Sequence, residues 1–132
     1  MPLFENDTLF VRAETHGTNS MVDALTRDGT YKISTAESAD AVLLGRITNL
    51  KYSQVSSIRT DSLRSEELSL TVFIEWSLAE ASNPSRILEK GRSSGRTTFF
   101  ARGNLNIART NALPDALRRA CESTTARLAD GF

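Results

Sequence analysis

Glu67-Leu68-Ser69-Leu70-Thr71-Val72-Phe73-Ile74-Glu75-Trp76-Ser77-Leu78-Ala79 is the longest strict two-residue alternation in the chain. Leu68, Leu70, Val72, Ile74, Trp76 and Leu78 fall on one face of an extended strand, and Ser69, Thr71, Phe73, Glu75 and Ser77 on the other. That is the pattern of a half-buried strand. At about 3.3 Å per residue it spans roughly 40 Å, enough to be the central ruler of a small sheet whose apolar side is covered by helices.

Outward from this ruler, Gln54 to Glu66 is polar and rich in Ser, and reads as the tip of a long antiparallel hairpin. The strand before it is predicted over Ala41 to Tyr52, where Gly45 suggests a bulge or a close backbone approach. The strand after it is predicted from Arg86 to about Phe100, following a turn at Asn83-Pro84-Ser85, with Gly91 and Gly95 read as bulges. Nearer the beginning, Leu3 to Glu5 is expected to end a first strand. Asn6-Asp7-Thr8 offers capping side chains for a helix from about Leu9 to Arg27, whose stripe is Ala13, Gly17, Met21, Ala24 and Leu25, with Asp28-Gly29 as its stop. Its middle, His16-Gly17-Thr18-Asn19-Ser20, holds poor helix formers that cost about 2 kcal/mol relative to Ala. Tyr31 to Ser34 reads as a short strand, and Ser34 with Glu37 as a capping box. At the other end, Asn104 to Asn111 is expected to be a connection. Pro114 is placed in the first turn of a final helix to Ala129, with Leu113, Leu117, Cys121, Thr124 and Leu128 on its apolar stripe, backed by Ala116 and Ala120.

Strands in succession with helices at both ends predict an α+β fold: a two-layer sandwich with two helices on one face of a mixed, largely antiparallel sheet of four to five strands. A chain of 132 residues is the length of a single domain, 1–132, able to bury one core without metal or disulfide. No apolar run approaches 18 residues, and Met1-Pro2-Leu3-Phe4 opens neither a signal peptide nor a lipid-attachment Cys, so the sequence as written reads as soluble.

Sixteen basic against sixteen acidic residues give no net charge, which argues against a sequence-independent grip on nucleic acid. Thirteen of the cations are Arg, the residue suited to bidentate contact with phosphate or carboxylate, although GC-rich codon usage gives the same bias. No catalytic set assembles. Gly91-Arg92-Ser93-Ser94-Gly95 has the spacing of a nucleophile elbow, but the only His, His16, precedes it and no helical pattern follows. A hydrolase through Ser93 is therefore the weakest reading. His16 and Cys121 supply no metal ligand set, and no cofactor is implied. Glu66 and Glu67 are adjacent, point to opposite faces and cannot act as a paired acid and base. Trp76 and Phe73 read as sheet packing. What remains is an Arg group in neighbouring strands and the hairpin: Arg59, Arg64, Arg92, Arg96 and Arg102, a candidate anion-binding surface whose bland alternative is an ordinary solvated face.

Taken together, Phe4-Glu5-Asn6 with Thr8, a helix holding Glu14 and Leu25, Asp28-Gly29-Thr30-Tyr31, and Ala39-Asp40-Ala41-Val42-Leu43-Leu44-Gly45-Arg46-Ile47 resemble the LPS-assembly lipoprotein (LptE) family over essentially the whole chain. The resemblance implies a non-enzymatic protein on the periplasmic side of the outer membrane, anchored through an N-terminal lipidated Cys. It implies a plug inside a large LPS-assembly barrel (LptD-like) that helps deliver lipopolysaccharide to the cell surface, and two helices against a mixed sheet. Basic residues of the family contact the anionic lipid; by place in the hairpin and the next strand alone, Arg59, Arg64, Arg92 and Arg96 are the candidates for lipopolysaccharide or partner contact. The alternative is a generic periplasmic or cytosolic binding module of the same layers with no lipid role.

Overall fold

The structure, a computed structural model, describes residues 4–8, 12–30, 32–34, 38–56, 66–101 and 105–130. The elements are β1 (Glu5–Asn6), α1 (Ala13–Asp28), β2 (Ala41–Ser56), β3 (Glu66–Glu80), β4 (Asn83–Ala101) and α2 (Leu105–Asp130). The sheet order is β1-β2-β3-β4, with β1 parallel to β2 and the other pairs antiparallel. Two helices lie on one face of this four-stranded mixed sheet, the expected two-layer α+β arrangement.

β3 is the ruler. Leu70 and Val72 are 0 % exposed, Ile74 1 %, Trp76 3 % and Leu78 9 %, while Leu68, nearest the hairpin, is only half-buried. The α2 stripe Leu113, Leu117, Cys121, Thr124 and Leu128, with Ala116 and Ala120, closes over it. The α1 stripe is buried at all five predicted positions, and Gly29 ends that helix in the left-handed conformation, φ 78°, donating to the Leu25 carbonyl.

The weak middle of α1 has a structural reason. The Thr18 hydroxyl donates to the Glu14 carbonyl at 2.7 Å and accepts from the Phe4 amide at 2.9 Å, tying the first strand to the helix. Phe4 is buried against Gly17 and Gly45; a Cβ on Gly45 would fall 2.5 Å from its ring. Helix propensity is given up so that an aromatic ring can be wedged between two backbones.

Several boundaries differ from expectation. Asn6-Asp7-Thr8 does not cap α1, which begins at Ala13 after Arg12 in the left-handed region, with no side-chain cap. Instead the Asn6 side chain accepts from both the amide and the hydroxyl of Thr8, and its Nδ2 donates to Glu14 at 3.0 Å. Of the expected strand Tyr31 to Ser34, Lys32 to Ser34 are not in a strand, and Tyr31, like Glu37 of the expected capping box, lies outside the described residues. Gly45, Gly91 and Gly95 are in regular register; the irregularities of β2 and β4 fall between Ile47 and Asn49, between Gln54 and Ser56, and opposite Leu78 to Glu80. Gly91 and Gly95 answer close approaches instead: to Trp76 and Arg127 at the first, and to the α2 backbone at Ala116 and Ala120 at the second. The β3–β4 turn is at Ala81-Ser82, before the predicted Asn83-Pro84-Ser85. The expected connection Asn104 to Asn111 is helical from Leu105, so Pro114 sits inside α2. Pro114 is exposed, and burial of Ala112, Leu113, Ala116 and Leu117 on either side holds the turns it interrupts.

Two expectations follow. In urea melts Leu70→Ala and Ile74→Ala lose about 2 to 5 kcal/mol, and Leu68→Ala distinctly less. Gly95→Ala destabilises by about 1 to 3 kcal/mol although it adds one methyl group, because the obstacle is helix backbone; equal small losses at all these positions would displace β3 from its central place.

Candidate anion-binding face

Because the helices cover one side of the sheet, the alternate residues of β2, β3 and β4 form a second face that no described element covers. Strand register assembles it in rungs: Arg46, Glu75 and Arg92; Lys51, Thr71 and Arg96; Leu44, Ser77 and Lys90. Simple alternation along β2 would set Arg46 and Lys51 on opposite faces. The irregularity between Ile47 and Asn49 takes up one residue and returns both to the uncovered side.

Within the first rung the cations are answered by carboxylates. Arg46 Nη2 lies 3.0 Å from Glu5 Oε2, and its Nε 3.7 Å from Asp7. The Glu5 hydrogen bond first, then the Asp7 charge, hold this guanidinium above its ordinary range. Arg92 Nε is 3.4 Å from Glu75, in a pair too exposed to contribute much stability. Among the described residues Lys51, Lys90 and Arg96 have no carboxylate within ion-pair distance. The face is therefore locally basic although the chain carries no net charge.

Of the predicted site residues, Arg92 and Arg96 are brought onto this one face, four residues apart along β4, or about 13 Å. Arg59 and Arg64, like Arg102 and the tip of the hairpin, lie outside the described residues. Sequence reading missed Lys90, which shares the parity of Arg92 and Arg96, and it missed Arg46 and Lys51, which only the β2 irregularity brings to one face.

It also missed a pair on the helix side near the hairpin. The Arg109 guanidinium stacks 4.2 Å from the centre of the Tyr52 ring. Among the described residues Tyr52 Oη and Arg109 Nε are buried atoms without a hydrogen-bond partner, two donors that call for an acceptor. Burial pushes the Tyr52 phenol upward, and the Arg109 charge opposes this.

The elbow-like segment is structural. Ser93 is 8 % exposed and its hydroxyl accepts from the Trp76 indole N–H at 3.1 Å, while His16 is on the exposed side of α1. Cys121 points its thiol at the Gly17 carbonyl between the helices, and burial pushes that thiol up to about 12.

At the rim, Asp115 joins α2 to β4. A hydrogen bond from Thr97, followed by those from Arg118 and Arg119 at 2.6 and 2.9 Å, holds its carboxyl well below the usual carboxylate range.

An open four-stranded sheet with two helices on one side and a basic uncovered face defines the class of protein. The chain belongs to the LptE, lipopolysaccharide-assembly family, whose model matches residues 1–130. No curated protein matches it in sequence. Among solved structures it is similar to a minor lipoprotein from Acinetobacter baumannii, with 10 % identity, TM-score 0.59, and coverage of 97 % of this chain and 92 % of that one. It is also similar to the PelC dodecamer subunit from Paraburkholderia phytofirmans, with 16 % identity, TM-score 0.52, and coverage of 91 % and 81 %. At these identities the likeness is one of fold.

Two outcomes are expected here. Since the Asp115 pKa is depressed on folding, its contribution is present above its unfolded value near 3.8 and is lost as pH falls below it. Exposure limits that contribution to about 1 kcal/mol or less, so Asp115→Asn lowers stability at pH 7 and the difference from the native protein closes in melts below about pH 4. Ser93→Ala strands the indole N–H and destabilises by about 1 to 3 kcal/mol but leaves function unchanged. Loss of function with unchanged stability would contradict this reading.

Proposed function

We propose that this protein serves lipopolysaccharide assembly from the periplasmic side of the outer membrane, plugging an LPS-assembly barrel (LptD-like) and presenting its basic uncovered face and hairpin to the lipid phosphates on their way to the surface. Family membership supports the lipopolysaccharide role. The observation that carries the lipid-contacting part is the Lys51-Thr71-Arg96 rung, which has two cations and no carboxylate, beside Arg92. Guanidinium binds phosphate through charge-assisted and often bidentate hydrogen bonds, so cations without carboxylate partners on a rigid sheet are suited to a lipid bearing phosphates. The hairpin residues Arg59 and Arg64 extend this proposal beyond the described part of the sheet. Tyr52 and Arg109, at the same end, offer two donors to an acceptor brought in from outside.

The role asks for binding and positioning and no bond-making chemistry. A lipid anchor belongs to the proposal as well, and a gene encoding a signal peptide and an acylated Cys upstream of this sequence would supply it.

Replacement of Arg59, Arg64, Arg92 and Arg96 together by Ser is expected to weaken lipopolysaccharide binding about tenfold or more and to flatten its salt dependence. Folding should persist, since exposed changes cost within about 0.5 kcal/mol each. Lipid binding and co-purification with the barrel are measured separately. Unchanged affinity in both assays, with the protein folded, would leave the generic binding module as the better reading.

A further inference from the structure

β4 forms one edge of the sheet along its entire length. The opposite edge is blunted: β1 covers part of β2, and β2 is interrupted between Ile47 and Asn49 and again between Gln54 and Ser56. β4 has no such device over Glu89 to Ala101, where it follows β3 residue for residue, with no Pro and no bulge. Those thirteen residues span about 43 Å. The Arg127 guanidinium, reaching from α2, donates to the Arg92 carbonyl at 3.3 Å, and among the described residues no element lies alongside the strand beyond it. A long regular edge of this kind is a template for a further strand.

The side chains along the edge discriminate between occupants. On the uncovered face β4 presents Lys90, Arg92, Arg96 and then Phe100, which is 69 % exposed. Residues opposite one another on neighbouring strands lie about 5 Å apart, and like charges there repel. In an antiparallel two-fold pairing of two copies, a register centred on any residue from Gly91 to Ser94 sets two of these cations directly across the seam. The register of greatest overlap, centred on Gly95, still leaves the two Arg96 side chains diagonal to each other at about 7 to 8 Å. A second copy is disfavoured in each of these registers. A strand carrying carboxylates at alternate positions is favoured by the same residues, and an apolar side chain at one end of it would cover Phe100.

We propose that the β4 edge, chiefly Ser93 to Ala101, is a docking site for an extended acidic segment of another polypeptide, which adds a fifth strand to the sheet. The site is distinct from lipid binding in what it recognises: backbone hydrogen-bonding groups in register, with carboxylates answering Arg92 and Arg96. Its test uses the full chain and peptides of about ten residues, one alternating Glu with Val and one alternating Lys with Val. Fluorescence anisotropy is expected to show binding of the Glu peptide to the native protein and not of the Lys peptide, and amide hydrogen exchange to slow within 93–101 but not in β2. Arg92→Glu with Arg96→Glu should weaken the Glu peptide about tenfold or more and admit the Lys peptide; circular dichroism confirms that this variant is folded. Three results would overturn the proposal: equal binding of both peptides, binding without protection in β4, or concentration-dependent dimerisation of the free protein with protection of β4. Lipopolysaccharide binding followed on the same samples is an independent readout, so failure of the lipid reading leaves the peptide result standing, and the reverse.

Discussion

The seat of α2 on Gly95 sets the geometry on which the rest of this protein depends. Only a residue without a side chain lets the helix backbone at Ala116 and Ala120 rest on the strand, and Ala on the helix completes the close fit. At that height Leu113, Leu117 and Leu128 are buried with Val72, Ile74 and Trp76 of the neighbouring strand in one core. The rim contacts follow from the same placement: Thr97 reaches Asp115 on one side of the seat, and Arg127 reaches the Trp76 ring and the Arg92 carbonyl on the other. A helix held farther off would lose polar fastenings and apolar packing together.

What could be read from the sequence was what local periodicity encodes. The alternation of Leu68 to Leu78 and the 3.6-residue stripes of both helices name the core faces directly, because burial acts on each element by itself. Gly91 and Gly95 show the limit. A strand glycine means either a bulge or a close approach, and what approaches, the α2 backbone at Gly95 and the Trp76 and Arg127 side chains at Gly91, comes from elsewhere in the chain. Pro114 misled for a related reason: its preference for a first turn is a local statistic, overridden by apolar burial on both sides. The candidate site was legible in part. Arg92 and Arg96 share a strand and a parity, so their common face follows from alternation. Arg46 and Lys51 have opposite parity, and only the β2 irregularity unites them.

Zero net charge also conceals an uneven distribution. Lys51, Lys90 and Arg96 stand on the uncovered sheet face with no carboxylate at ion-pair distance among the described residues, while Arg118 and Arg119 on α2 are bound to Asp115 and Glu122. Leaving these sheet cations without carboxylate partners gives that face a local potential that formal charge does not report, and that acts on an anionic partner at distances below a Debye length, about 8 Å in physiological salt.

Phe4 gives the molecule a mechanical property. Its ring is gripped between Gly17 and Gly45, its amide is bonded to Thr18, and the short strand after it runs parallel to β2, fastened by Glu5 and Asp7 to Arg46. Tension on the chain ahead of Phe4, directed along β2, loads these bonds in shear, all at once, and must drag an aromatic ring out from between two backbones. A tether attached there pulls against the body of the domain and cannot peel the sheet open one bond at a time.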